Sequence, residues 1–123
     1  VSGTTYYYRV RAYDGPNYSA YTNLAQATTQ PAPAAPTDLT STSIGTGKIK
    51  LAWTDNATSE AGFWIERSTD GVTFSAIALM GANTTAYTNA GLVSGTTYYY
   101  RVRAYDGPNY SAYTNVASAT AAP

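Results

Sequence analysis

Four carboxylates in the middle of the chain are the residues most able to do acid–base chemistry. They are Asp55, Glu60, Glu66 and Asp70. Hydrolysis of a glycosidic bond needs two carboxyl groups that flank the bond within one cleft. These four residues are predicted to lie in loops and on an outer strand face, without a pattern that indicates a pocket. We therefore expect no catalytic site.

Residues that bind metals or act as general bases are missing. The chain has no histidine and no cysteine, which excludes zinc patterns, thiolate nucleophiles, disulfide bonds and the usual general base. The segment Asp106-Gly107-Pro108-Asn109 offers oxygen ligands, but it lacks the dense carboxylates of a calcium loop and is typical of a turn. The sequence therefore predicts no metal, no cofactor and no enzyme activity.

Alternating aromatic and charged side chains could instead form a binding surface on the outer face of two neighbouring strands. The candidate contact residues are Trp64, Glu66, Tyr99, Arg101, Arg103 and Tyr105. Such a surface could stack on sugar rings or on a protein partner. A cross-strand ladder, with arginines stacked on aromatic rings and paired with Glu66, explains the same pattern. The sequence leaves both interpretations open.

Four Asn-x-Ser/Thr triplets would permit glycosylation of a secreted protein in a suitable host. They begin at Asn17, Asn56, Asn83 and Asn109. Ser and Thr are abundant and two of the triplets are copies of each other, so chance accounts for much of this pattern.

Composition excludes several classes of partner. The 123 residues carry seven Lys and Arg against seven Asp and Glu, so no long-range field favours nucleic acid or an anionic membrane. No apolar run reaches the roughly 20 residues that span a bilayer. Thirteen tyrosines and 11% charged residues suit an exposed β-rich surface. We expect an extracellular or cell-surface location, without nucleic-acid binding or membrane insertion.

A long internal repeat sets the domain organisation. Residues 1–23, VSGTTYYYRVRAYDGPNYSAYTN, recur unchanged as residues 93–115, an offset of 92. A period near 90 residues is typical of a β-sandwich domain and exceeds the length of a solenoid repeat. The repeating unit is therefore predicted to be a whole domain. Residues 29–36, TQPAPAAP, form a predicted Pro/Ala linker after the first copy.

Alternating apolar residues predict seven strands after this linker. They are residues 38–42, 48–54, 63–68, 74–80, 85–89, 98–105 and 112–120. The predicted inward residues are Ile49, Leu51, Trp53, Phe63, Ile65, Tyr98, Tyr100, Val102 and Ala104. The last strand has an ambiguous pattern, in which Val116 is expected to face inward.

Several of these segments resemble a fibronectin type III domain, especially the bacterial variety found in tandem beside secreted polysaccharide-degrading enzymes and in surface proteins. The segments are Pro36 with Leu39, Trp53, GFWIERSTDG at 62–71 and GLVSGTTYYYRVRAY at 91–105. The resemblance implies an all-β, immunoglobulin-like sandwich of seven antiparallel strands without a catalytic site. It also implies that residues 1–28 are a hairpin of the last two strands, F and G, of a second copy.

The resemblance assigns structural roles to two tyrosines. Tyr98, and Tyr6 in the first copy, would be the corner tyrosine whose hydroxyl bonds to the backbone. The loop after residue 105 lacks the Arg-Gly-Asp triplet with which some animal members bind integrins, so integrin adhesion is not expected.

The resulting domain prediction is a partial domain at 1–28, a linker at 29–36 and a complete domain at 37–123. The predicted function is a non-catalytic, extracellular spacer in a tandem array, or a repeating unit of a surface protein or fibre. The alternative is an accessory module that binds polysaccharide or protein beside a secreted glycoside hydrolase. The predicted partners are neighbouring copies of the domain, in tandem or by strand exchange, and polysaccharide for the alternative.

The first copy poses a packing problem. Two strands alone are marginal in water, and Tyr6, Tyr8, Val10 and Leu24 would leave an apolar face exposed. The simplest expectation is that residues 1–28 end a preceding domain whose first five strands lie outside this sequence. Exchange of strands between chains is the alternative.

Overall fold

The computed structural model describes residues 3–29 and 31–123. Val1, Ser2 and Gln30, which fall in the predicted partial domain and the predicted linker, lie outside the described residues. The chain divides into two compact units, Val1–Pro31 and Ala32–Pro123, and each is described by itself. The described part contains no helix long and apolar enough to cross a membrane.

The first unit is a hairpin of two strands, β1 (Thr5–Tyr8) and β2 (Ala25–Thr28). The strands pair antiparallel, with Tyr6 opposite Ala27 and Tyr8 opposite Ala25. Residues 9–24 form the long connection between them, closed by an antiparallel bridge between Tyr13 and Tyr18. The additional N-terminal hairpin of the sequence prediction is therefore present.

The second unit contains seven strands in two sheets. The strands are β3 (Thr37–Gly45), β4 (Lys48–Thr54), β5 (Gly62–Ser68), β6 (Ser75–Gly81), β7 (Ala86–Asn89), β8 (Thr97–Tyr105) and β9 (Ala117–Thr120). One sheet has the order β3-β4-β7 and the other the order β6-β5-β8-β9, with antiparallel pairing throughout. This arrangement confirms the predicted seven-stranded antiparallel sandwich.

The core lies between the inner faces of these two sheets, as the alternating patterns predict. Its buried hydrophobic residues are Leu39, Ile49, Leu51, Trp53, Phe63, Ile65, Tyr98, Tyr100, Val102, Ala104 and Ala121. All nine residues predicted to face inward in β4, β5 and β8 are among them. Pro36, at the end of the predicted linker, is also fully buried, so that proline packs within the second unit.

The prediction for the last strand was wrong at Val116, which is 52% exposed, whereas Ala117 and Ala119 pack on the core. Regular pairing begins only at Ala117 rather than at residue 112. The reason lies in two hydroxyl groups, because Ser111 and Thr114 accept the backbone N–H groups of β8 that a strand would otherwise bind. The backbone N–H groups of Ser111 and Thr114 donate in return to the carbonyl oxygens of Ala104 and Val102. The segment before β9 thus advances three residues where β8 advances two, so its parity differs from that of a regular strand.

Hydrogen bonds connect the first strand of the second unit, β3, with the segments on either side of its last strand, β9. The side-chain amide of Asn115 accepts the backbone N–H of Leu39 and donates to its carbonyl oxygen, both at 3.0 Å. At the other end of β3, Thr46 forms a parallel bridge with Ala122, and the Thr46 hydroxyl donates to the carbonyl oxygen of Pro123 at 3.0 Å. These bonds join the edges of the two sheets.

The hydroxyl of Tyr98 accepts the backbone N–H of Val93 at 3.0 Å. Replacing Tyr98 by Phe leaves this partly buried N–H group without its acceptor, so we expect the free energy of unfolding to fall by about 1 kcal/mol. Urea denaturation followed by tryptophan fluorescence measures the change. Tyr99→Phe is the matched control, since Tyr99 faces outward in the same strand. Equal losses for the two variants would contradict the assigned role of the bond.

Alkaline pH is expected to destabilise the second unit through Tyr100. Burial raises the pKa of the Tyr100 phenol from 10.0 to about 12, and its hydroxyl donates to Asn89 Oδ1 at 2.8 Å. The Tyr100 phenol ionises at a lower pH in the unfolded chain than in the folded domain. Its contribution to the free energy of unfolding is therefore complete below pH 10 and is lost as the pH rises to about 12. We expect a loss of about 2 kcal/mol, measured by urea denaturation at increasing pH. Tyr100→Phe should show a smaller loss, and an equal one would refute this origin.

Candidate partner-binding surface

All six candidate contact residues come from two strands that pair directly, β5 and β8. In the register of β5 and β8, Trp64 lies opposite Arg103 and Glu66 lies opposite Arg101. Alternation along each strand places these side chains on the outer face of the four-stranded sheet, away from the core. Tyr105 lies at one end of this face, next to Trp64. Tyr99, the sixth, lies at the other end, next to Gly71.

Glu66 accepts hydrogen bonds from two neighbouring side chains of this outer face and is only 8% exposed. Its Oε1 accepts from Nε and from a terminal nitrogen of Arg101, both at 2.8 Å. Its Oε2 accepts from the hydroxyl of Tyr113 at 2.7 Å. Burial and this contact with Glu66 raise the pKa of Tyr113. Glu66 therefore faces outward by strand parity, but it serves as an internal acceptor for neighbouring side chains.

The two arginines stack on aromatic rings. The guanidinium carbon of Arg101 lies 3.8 Å from the ring centre of Tyr113 and 4.3 Å from that of Phe74. That of Arg103 lies 4.0 Å from the ring centre of Tyr110. Each stack at a partly exposed site is worth about 0.5–1 kcal/mol. The outer face is therefore a ladder of stacked cations and rings.

The sequence interpretation missed Phe74, Tyr110 and Tyr113 as members of this ladder. Tyr110 and Tyr113 lie in the segment that follows β8 through hydroxyl bonds, where strand parity gives no guide. Their positions five and eight residues after Tyr105 in an aromatic-rich loop were the one signal that could have drawn attention to them.

Arg101 is expected to stabilise the domain through Glu66. Replacing Arg101 by Gln leaves the buried carboxylate without its cation, so the free energy of unfolding should fall by about 2 kcal/mol. Arg9→Gln is the matched control, because Arg9 has the same place in the first copy and stacks on Tyr21. We expect its effect on the second unit to stay below about 0.5 kcal/mol. Thermal unfolding measures both, and similar losses would contradict the assignment.

Three aromatic rings form a row at one end of the ladder. The ring centres of Trp64 and Tyr105 are 6.2 Å apart, and those of Tyr105 and Tyr110 are 6.3 Å apart. The planes are tilted by 45° and 36°. Trp64 and Tyr105 are partly buried, whereas Tyr110 is exposed. This row is the aromatic part of the outer face, and its rings do not lie in one plane.

The four carboxylates lie in different settings. Asp55 and Glu60 do come together: burial and the contact with Glu60 raise the pKa of Asp55, and Glu60 accepts the backbone N–H of Asn83 at 3.1 Å. Asp70 instead closes a turn, where the Ser68 hydroxyl and two backbone N–H groups lower its pKa to about 2. Within residues 3–29 and 31–123, no group of three or more acidic residues could hold a metal ion.

The four glycosylation triplets lie in different settings. Asn17 is exposed in the connection of the hairpin, and Asn83 is exposed at a turn with φ of 64°. Asn109, the counterpart of Asn17, is partly buried. The side-chain nitrogen of Asn56 donates to the carbonyl oxygen of Ala35 at 3.0 Å and to the Thr37 hydroxyl at 2.9 Å, so that nitrogen is already engaged.

A family model for the fibronectin type III domain matches residues 34–120. The chain belongs to the fibronectin type III family. Domains of this family are generally non-catalytic modules. A search of curated proteins finds no match to this sequence.

Solved structures agree with the fibronectin type III assignment. An Fn3-like protein from Clostridium thermocellum is 30% identical, with a TM-score of 0.61, over 71% of this chain and 91% of that one. A beta-1,2-glucanase from Parabacteroides distasonis is 28% identical, with a TM-score of 0.68, over 89% of this chain and 16% of the glucanase.

The chicken CNTN1 FN1–FN3 domains, 15% identical with a TM-score of 0.67, show the fold alone; the match covers 100% of this chain and 44% of that one. The fibronectin type III chain thus spans less than half of the glucanase and CNTN1 chains, and 37% of a matching titin fragment.

Proposed function

We propose that the chain is a non-catalytic structural module that spaces domains within an extracellular tandem array of the bacterial type. The observation that carries this proposal is the duplication of 23 residues at an offset of 92, close to the length of one domain. An unchanged copy lengthens an array without requiring new chemistry. Neighbouring copies of the domain are then the main partners.

The outer face supports a structural role. Arg101 and Glu66 pair with each other, so these two charges are satisfied before any ligand arrives. Arg103 stacks on Tyr110, although its Nε has no hydrogen-bond partner among the described residues. The extracellular location is supported by composition, since 13 tyrosines and 11% charged residues suit an exposed β-rich surface. Antibody labelling of intact cells tests the location, and labelling seen only after lysis would overturn it.

The second candidate function is an accessory module that binds polysaccharide beside a secreted glycoside hydrolase. The row of Trp64, Tyr105 and Tyr110 favours it, because aromatic rings stack on the apolar faces of sugars. One structural neighbour is a beta-1,2-glucanase. The tilt between the rings and the stacking of Arg103 on Tyr110 favour the spacer.

A depletion assay on insoluble polysaccharides separates the two functions. The full chain is mixed with cellulose, chitin and starch, and the protein left in solution is measured. The spacer predicts no more depletion than an inert protein shows. Strong depletion that is lost in Trp64→Ala but kept in Ile44→Ala, an exposed residue of the other sheet, would overturn the spacer in favour of the binding module.

A further inference from the structure

The two copies of the repeated sequence share several internal hydrogen bonds. In the hairpin, the Thr5 and Thr28 hydroxyls lie 2.6 Å apart, and the corresponding distance in the complete domain is 2.7 Å. The N–H of Ala12 donates to the Ser19 hydroxyl at 2.8 Å, as the N–H of Ala104 does to Ser111. At these positions the hairpin is already hydrogen-bonded in the same way as β8 and the residues that follow it, which lowers the entropy cost of docking.

The two copies differ in the burial of their apolar side chains. Tyr8 is 60% exposed, whereas its counterpart Tyr100 is fully buried. Val10 is likewise exposed and Val102 buried. We define the inner face of the hairpin as the residues whose counterparts pack on the core of the complete domain. Those used here are Tyr8, Val10, Ala12, Ala25 and Ala27. Leu24, which the sequence placed on this face, does not belong to it, since its counterpart Val116 is exposed.

The complete domain shows which residues cover such a face. There, β8 pairs with β5 along its whole length, from Gly62 opposite Tyr105 to Ser68 opposite Tyr99. The buried apolar cover comes from β3, β4 and β5, and Ile77 of β6 and Tyr87 of β7 pack against it. Its members are Leu39, Ile49, Leu51, Trp53, Phe63 and Ile65.

Two further features of the hairpin lie at positions whose counterparts contact β5 and β3 in the complete domain. A cavity of about 310 Å³ opens at its connection, beside Tyr13, whose counterpart Tyr105 meets Trp64 and Gly62 in the complete domain. Asn23 is exposed, whereas its counterpart Asn115 forms two hydrogen bonds to the backbone of Leu39. The cavity and the amide lie where β5 and β3 of a partner would pack.

We propose that the inner face of the hairpin is a docking surface for a five-stranded fibronectin type III body with the sequence of residues 32–92. The hairpin adds β1 to the free edge of the partner's β5 and closes its core, by strand addition. A second copy of this chain is not the proposed occupant, because its own β8 and β9 fill the site. Exchange would then form as many contacts as it breaks. This inference does not depend on the spacer function.

The test mixes the full chain with a fluorescently labelled polypeptide of residues 32–92 as the probe. Both are dissolved in urea and refolded together by dilution, so the probe need not be soluble alone. We expect recovery of the probe in a one-to-one complex with the full chain by analytical ultracentrifugation. A probe that precipitates equally with and without the full chain overturns the proposal.

Two neighbouring tyrosines provide the matched variants. Tyr8 and Tyr7 are 60% and 61% exposed, but only Tyr8 lies on the inner face. We expect Tyr8→Ala to weaken binding by about 100-fold or more, and Tyr7→Ala by less than about threefold. Asn23→Ala should weaken it by about tenfold. Equal effects at Tyr7 and Tyr8 overturn the proposed face. Dimers of the full chain alone that require Tyr8 overturn the proposed occupant.

Discussion

Replacing Tyr100 by Ala is expected to lower the free energy of unfolding of the complete domain by about 3–5 kcal/mol. Tyr100 is fully buried, and its hydroxyl donates to Asn89 Oδ1 at 2.8 Å. The same oxygen accepts from Arg67 at 3.1 Å. The truncation therefore opens a cavity between the sheets and also leaves a buried amide with one partner fewer.

Tyr8→Ala is the matched control for Tyr100→Ala, since the two tyrosines have identical neighbours in sequence. We expect this change to cost less than about 0.5 kcal/mol, because Tyr8 is 60% exposed. Both tryptophans, Trp53 and Trp64, lie in the complete domain, so urea denaturation followed by their fluorescence reports on that unit alone. Tyr100→Phe, with an expected loss of about 1 kcal/mol, gives an intermediate point. A large loss for Tyr8→Ala would contradict the prediction.

Replacing Gly62 by Ala is expected to destabilise the domain by about 3 kcal/mol. Gly62 is buried at the start of β5, where it lies opposite Gly81 of β6 and Tyr105 of β8. A Cβ added there would collide with the carbonyl oxygen of Met80 and would lie 3.1 Å from a ring carbon of Tyr105. Backbone on one side and a packed ring on the other leave no direction in which the methyl group can move.

Gly81→Ala tests whether the effect of Gly62→Ala arises from this collision. Gly81 is paired with Gly62, but no atom lies within 4 Å of a Cβ placed on it. We expect a change below about 0.5 kcal/mol. For a domain of this size, 3 kcal/mol corresponds to a fall of roughly 10–20 °C in Tm, which calorimetry measures directly. Equal shifts for the two variants would refute the steric explanation.

Strand patterns predicted the architecture well because the core residues are set by alternation. Lys48–Thr54 has the predicted bounds, and Ile49, Leu51 and Trp53 are buried. The strand pattern failed to predict the segment before β9, because there N–H groups of β8 donate to side-chain hydroxyls instead of to the carbonyl oxygens of a neighbouring strand. Ser111 and Thr114 satisfy β8 in this way, which shifts the parity of the last strand and exposes Val116.

The outer face was predicted in part. Strand parity predicted that Glu66 and the arginines share the outer face, and the register of the structure sets Glu66 opposite Arg101. Parity could not show that Tyr113 folds over the carboxylate. The burial of the hairpin side chains could not be predicted from the residues of the hairpin either. Tyr8 and Val10 are exposed in the first copy, whereas the identical Tyr100 and Val102 are buried, since burial depends on strands that lie elsewhere in the sequence.

The parallel bridge between Thr46 and Ala122 gives the complete domain a particular response to tension. β3 begins the domain and the segment after β9 ends it, so pulling on the two ends would load their hydrogen bonds in shear, all at the same time. In the hairpin, the bond from the N–H of Gly3 to the carbonyl oxygen of Thr29 places both ends of the hairpin side by side. The same pull would peel its hydrogen bonds apart one after another. A hairpin docked on a partner body would become part of a sheet that is loaded in shear. A hairpin without a partner would be the first element to unfold under force.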